Sequence, residues 1–168
     1  DMYKENGWLP KWELYGRETF TMEGDASIPY IVDAWMRGLR DFDVETAYEA
    51  MRKGATTPGE FNLLRPDAND YFSNGYVPLR EQFDNSVSHA LEYYIADWNL
   101  SNFAKALGKK EDAKLFYERS MGYKHYYDKE FGTLRPIMPD GTFYAPFDPK
   151  QGENFEPSPG FHEGNAWN

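Results

Sequence analysis

Residues 86–127 read SVSHALEYYIADWNLSNFAKALGKKEDAKLFYERSMGYKHYY, and the fold is decided here. Val87, Leu91, Tyr94 and Trp98 recur at three- and four-residue spacing, which predicts a long helix from about 86 to 107, stopped by Gly108. A second periodic run, over about 111–127, puts Ala113, Phe116, Tyr117, Ser120 and Tyr123 on one side. The link between the two is the short stretch Gly108 to Lys110. A connection that short forces the helices into an antiparallel hairpin.

The same pattern occurs earlier in the chain. Ile28, Ile31, Val32, Trp35, Met36 and Leu39 predict a helix over about 28–37, with Pro29 suited to its first turn and Gly38 ending it. Val44, Ala47, Tyr48 and Met51 predict another over about 43–53, with Asp43 as cap and Gly54 as stop. These two form a second hairpin. The opening residues 1–7 read as the end of a further helix stopped by Gly7. A small β-hairpin is expected in 133–147, around Asp140-Gly141.

Three stretches remain irregular: 8–27, 54–85 and 128–168. Loops beyond about 12–15 residues are uncommon in compact domains unless they carry function or are disordered. These are full of Trp, Tyr, Phe and Leu, which argues against disorder. The expectation is an all-α fold of antiparallel helical hairpins whose long loops build a pocket, as in an α/α barrel, with 1–168 as one unit. The competing architecture is a helical repeat, because Ala106-Leu107-Gly108 before Glu111-Asp112-Ala113 looks like the turn of a tetratricopeptide unit. That reading requires ordered helices within 54–85; the hairpin reading requires an irregular loop there.

Composition narrows the function. The net charge of −10 argues against nucleic acid or an anionic membrane as partner. There is no cysteine, so disulfides and thiol chemistry are excluded. No run approaches the roughly 20 apolar residues of a membrane span. Aromatic residues make up 18% of the chain, and a Tyr/Phe-rich helical core accounts for most of them. Exposed indole and phenol faces in loops suit carbohydrate.

The stretch His162-Glu163-Gly164-Asn165-Ala166-Trp167-Asn168 carries the strongest chemical signal. A carboxyl beside aromatic surface suits glycoside hydrolysis, in which the acid protonates the glycosidic oxygen. Glu163 is the candidate acid, with Trp167 and Phe161 as an apolar wall and His162 and Asn165 as orienting groups. The plain alternative is that Glu163 opens a helix, where the dipole favours a carboxylate. No second carboxylate follows it, so the chain reads as a piece of an enzyme interrupted at its active site. Trp8 and Trp12, pinned by Pro10, are candidates to stack on a sugar, although such a loop more often packs over a helix end. Asp25 is a candidate acceptor of sugar hydroxyls or a helix cap. Asp84 or Asn85 reads as a cap of the long helix, and Asp97 and Glu92 as structural or solvated groups. His89, His125 and His162 are too far apart for a zinc pattern.

Taken in order, these motifs resemble glycoside hydrolase family 92. The resemblance rests on Gly7-Trp8-Leu9-Pro10-Lys11-Trp12, Gly24-Asp25, Asp33-Ala34 and Ala47-Tyr48-Glu49-Ala50-Met51. It continues through Val87-Ser88, Leu91-Glu92-Tyr93, Ala96-Asp97-Trp98, Arg119-Ser120, Arg135-Pro136, Pro146-Phe147-Asp148-Pro149 and Glu163-Gly164-Asn165-Ala166-Trp167. It implies an inverting, calcium-dependent exo-α-mannosidase, mostly known from glycan-foraging bacteria and so expected to be exported. It further implies an (α/α)6 catalytic barrel and mannose-containing glycans as substrates. Glu163 matches the family's general acid, while the general base and most calcium ligands are expected from other segments, leaving the metal ligands within this chain unassigned. Asn165 and Trp167 are implied to line the site, and Asn168 departs from the glutamine expected there. A chain of this length alone is expected to hydrolyse nothing and to self-associate through apolar faces. Two other functions compete: a helical-repeat interaction module, and a glycan-binding protein in which Glu163 is inert.

Overall fold

The computed structural model describes residues 2–80, 85–151 and 159–161. Six helices lie among them: α1 (Met2–Asn6), α2 (Ser27–Met36), α3 (Val44–Thr56), α4 (Ala68–Asn74), α5 (Ser86–Ala106) and α6 (Lys110–Ser120). Four two-residue strands form two antiparallel pairs. β1 (Glu13–Leu14) pairs with β2 (Arg17–Glu18), and β3 (Tyr127–Asp128) with β4 (Thr133–Leu134).

α5 is the axis of the molecule. It packs against α6, α2 and α3. Its C-terminal half buries Leu100 and Phe103 against Ile28, Val32, Met51 and Phe116. Its N-terminal half buries Val87, Ala90 and Tyr93 against Tyr71, Tyr126 and Phe161. The Ser101 hydroxyl donates to the Ala113 carbonyl at 2.7 Å, locking the α5–α6 hairpin near its turn.

The helices and the α5–α6 hairpin follow the periodicity, and Asp43 caps α3 by accepting from the Thr46 amide at 3.0 Å. Gly7, at φ +76, ends α1 as expected. Several expectations need correction. Gly54 does not stop α3, which runs on to Thr56. A Cβ at Gly54 would lie 3.0 Å from Asp25 Oδ2 and 3.1 Å from Leu64 Cδ1, so its lack of a side chain lets two loops close onto the helix. The stripe Val87, Leu91, Tyr94, Trp98 is only part of the buried surface of α5. Trp98 is 45% exposed, while Ala90, Tyr93, Ala96, Asp97 and Leu100 are buried. The second periodic run stops being α-helical at Ser120 and tightens to a 3-10 turn over Met121–His125.

The stretch 54–85 is not fully irregular: it holds a 3-10 turn, Gly59–Phe61, and the seven-residue α4. One short helix does not make the helical pair that a repeat unit needs. The hairpin expected across 133–147 is smaller than predicted, reduced to one bridge between Ile137 and Phe143 around the Asp140-Gly141 turn. Thr133 and Leu134 pair instead with β3. The stretch 8–27, expected to be irregular, contains the β1–β2 hairpin.

Candidate functional site

The loop end of α5 gathers the polar groups. Helix N-termini leave several amides without intrahelical partners. In α5 these are met by the Gly160 carbonyl, which accepts from the Val87 and Ser88 amides at 2.9 and 3.2 Å. Gly160 stands at φ +82, and a Cβ there would meet Pro136 Cγ at 2.8 Å and Val87 Cγ2 at 3.1 Å. Asn85 occupies the cap position but does not cap with its side chain. Its amide donates to Glu23 Oε1 at 3.0 Å instead. Asp84, the other expected cap, lies outside the described residues.

Below this end sits a buried ionic cluster. Arg65, fully buried, donates from Nη1 to Asp97 Oδ1 at 2.7 Å and from Nε to Asp25 Oδ2 at 3.3 Å. Tyr71 donates its hydroxyl to the other Asp97 oxygen at 2.9 Å. Three separate segments, the loop before α2, the loop before α4, and α5, are thereby tied at one point. Burial pushes the Asp25 carboxyl above its ordinary value of 3.8, against the pull of Arg65. Asp25 Oδ1 and Arg65 Nη2 have no hydrogen-bond partner among the described residues. Asp25 is 1% exposed and committed to Arg65, so here it anchors its loop away from solvent.

Lys11, Glu92, Asp67 and His89 are each half-buried. The Lys11 ammonium donates to the Leu64 carbonyl at 2.9 Å. Burial lowers its pKa, with Asp25, Glu23, Glu18 and Asp67 acting the other way. Glu92 lies against Gly24, where a Cβ would come within 2.5 Å of the Glu92 Cβ. Its carboxyl is raised by burial first and by neighbouring Glu23 second. Asp67 occupies the N-cap position of α4 without capping it. Its carboxylate is turned to His89 Nδ1, 2.5 Å away. An unused cap forgoes about 0.5–2 kcal/mol of helix stability.

The sequence-predicted residues divide as follows. Glu163, Asn165 and Trp167, with His162, lie outside the described residues. Phe161 is 3% exposed and stacks on Phe147 at 6.2 Å, so it belongs to the core rather than to a substrate wall. Trp8 is half-buried with the Lys53 ammonium 4.5 Å above its ring, at the end of α3. Trp12 is 46% exposed. Its backbone is held on both sides, with its amide donating to Glu18 at 2.9 Å and its carbonyl accepting from Thr19. Glu92 and Asp97, read together from the sequence, prove different: Asp97 is fully buried in the ionic cluster, and Glu92 faces the loops. Arg65 and the Asp67–His89 pair had no signal in the sequence, since their partners are 22 to 40 residues away.

Among the described residues no group of three His, Asp or Glu could hold a metal ion. No helix among them is long and apolar enough to cross a membrane.

The family model for the glycosyl hydrolase family 92 catalytic domain matches residues 1–168. A family GH92 inverting mannosidase from Bacteroides thetaiotaomicron VPI-5482 superposes with a TM-score of 0.84 at 31% identity, over 98% of this chain and 22% of that one. A family GH92 α-mannosidase from the same species, solved with mannoimidazole, gives 0.81 at 31% identity, over 93% of this chain and 20% of that one. A second structure of that α-mannosidase gives 0.79 at 32% identity, over 94% of this chain and 20% of that one. The chain thus spans about a fifth of the length of these mannosidases. No curated protein sequence matches it.

Proposed function

The chain belongs to the glycosyl hydrolase family 92 catalytic-domain family, and from that premise we propose that it forms part of an inverting exo-α-mannosidase acting on mannose-containing glycans. The observation that carries this reading is the match of the whole chain to the family, at 31% identity to an inverting mannosidase. That match favours part of an (α/α)6 barrel over a repeat scaffold.

Glu163 serves as the general acid in this proposal. In an inverting hydrolase one carboxylic acid protonates the departing oxygen while a second carboxylate activates water on the opposite face of the ring, about 6.5–9.5 Å away. Such an acid must hold its proton near neutral pH, through burial or a neighbouring negative charge. The match of residues 1–168, Glu163 among them, to the family's catalytic domain supports this role. Asn165 and Trp167 line the sugar site in this reading, with Trp12 as an outlying aromatic face. The base comes from a segment outside this chain. Calcium, when bound, supplies a hard cation to sugar hydroxyls, with most of its ligands coming from other segments of the full-length protein. Export from a bacterial cell completes the proposal, since the substrates are extracellular glycans.

The test is the anomer first released. Proton NMR of an α-mannoside digested by the full-length protein should show β-mannose first, turning into the equilibrium mixture afterwards. Release of α-mannose first, or no hydrolysis of α-mannosides, overturns the proposal.

A further inference from the structure

We propose that a cavity between the end of α1 and the β1–β2 hairpin binds a sugar ring of the glycan away from the bond that is cut, an inference that rests on the mannosidase reading above. The cavity has a volume of about 420 Å³, a size that suits a small ligand. Trp8 and Phe20 give it aromatic surface, and Glu5, Asn6, Arg17 and Glu18 give it polar groups. Among the described residues the side chains of Glu5, Asn6 and Arg17 have no hydrogen-bond or ion-pair partner, so their donors and acceptors are open to a ligand. The Glu18 carboxylate is taken up by the amides of Lys11, Trp12 and Phe20. One carboxylate and one guanidinium remain, of opposite sign, which fits a neutral ligand better than a phosphate or an ammonium. Guanidinium, carboxylate and carboxamide are planar groups with paired donors or acceptors, matched to neighbouring hydroxyls. An aromatic ring covers the C–H face of a pyranose. A hexose is the ligand class that presents both surfaces.

The walls are set before a ligand arrives. The Lys53 ammonium over the Trp8 ring also donates to the Gly7 carbonyl at 2.7 Å, which fixes the chain beside the indole. Phe20 stands at φ +54, a conformation that an aromatic residue rarely adopts, and its amide is clamped by Glu18 Oε1 at 2.7 Å. Backbone strain of this kind concentrates at ligand-binding positions. The loop that walls the cavity is tied to its neighbours. Its Lys11 donates to the Leu64 carbonyl, and its Glu23 accepts from Asn85 at the start of α5. The cavity therefore belongs to the long loops joined at the N-terminal end of α5, opposite the short turn at Gly108.

Arg17→Ala and Glu5→Ala remove exposed side chains that hold no other described residue, and Arg17→Lys keeps the charge with fewer donors. All three are made in the full-length protein. KM is measured on a branched α-mannan and on α-1,2-mannobiose, with melting temperature read in parallel. In Arg17→Ala and in Glu5→Ala the proposal expects KM to rise about tenfold more on α-mannan than on mannobiose, the effect of losing a hydrogen bond to a charged group, with melting unchanged. Arg17→Lys should recover part of that difference. An α-mannan KM that does not move, equal rises on the two substrates, or rises that follow a fall in melting temperature overturn the proposal and leave the mannosidase reading standing. If the unaltered protein hydrolyses neither substrate, that reading fails and the proposal falls with it.

Discussion

Removing the guanidinium at the centre of the buried cluster is the most informative stability experiment. Arg65 touches Asp97 at 2.7 Å and Asp25 at 3.3 Å, and all three side chains are at most 1% exposed. Arg65→Met preserves much of the volume and leaves two carboxylates in the interior with no cation bonded to either. Breaking a buried pair from one side costs about 3–5 kcal/mol. For a chain of this size that lowers Tm by roughly 6–20 °C. Scanning calorimetry at pH 7 measures it. The pH dependence gives an independent sign. Burial already raises the Asp25 carboxyl above 3.8, so its contribution to stability is fully present below 3.8 and is lost as pH rises through the raised value. Without Arg65 the carboxyl rises further, and the deficit of the variant should shrink as the pH is lowered from 7 towards 4. Adding Asp25→Asn and Asp97→Asn to Arg65→Met should recover most of the loss. An Arg65→Met protein within about 1 kcal/mol of the parent at pH 7 refutes the view that this cluster ties the loops to α5.

Further outcomes follow from the same geometry. Gly122→Ala places a Cβ 2.5 Å from the Gly75 carbonyl oxygen and 2.6 Å from the Tyr94 ring, and should cost about 1–3 kcal/mol in urea unfolding. Glu18 has its pKa raised by burial but lowered on balance by the amides of Lys11, Trp12 and Phe20, so its contribution is present above 4.5 and lost as pH falls below it. Acid should therefore loosen the loop that presents Trp12. Glu18→Gln should do so at neutral pH, at a cost of roughly 1 kcal/mol, read as faster proteolysis within 8–20. Ile95, Trp98, Tyr117 and Tyr123 are each more than 40% exposed, so the 168-residue chain alone should sediment as an oligomer. Ile95→Glu with Trp98→Glu should return it to a monomer.

The architecture was legible where a local pattern carried it. Apolar spacing gave α2, α3, α5 and the start of α6, and Asp43 and Gly7 marked ends that the structure confirms. Gly54 misled because a glycine that stops a helix and one that admits a neighbour look alike in sequence. The β1–β2 hairpin was hidden for a related reason. Its two-residue turn, Tyr15-Gly16, holds both residues at positive φ, +52 and +75, where Asn-Gly would have advertised it. α4 is too short for periodicity to show. The site was less legible than the fold. Arg65, Asp97, Asp67 and His89 meet only through tertiary contacts, and a charged residue in a sequence carries no mark of the partner it will find 20 or more residues away. The ordered motifs leading to Glu163 conveyed the family, which no single spacing could.

The role of Glu163 as acid is tested most directly by the leaving group. In the full-length protein Glu163→Gln should lower kcat/KM on α-1,2-mannobiose by about 10²–10⁴-fold, the range of a lost general acid. On 2,4-dinitrophenyl α-mannoside, whose phenolate departs without a proton, the loss should nearly vanish. Equal losses on the two substrates, or undiminished turnover of mannobiose, would contradict the account.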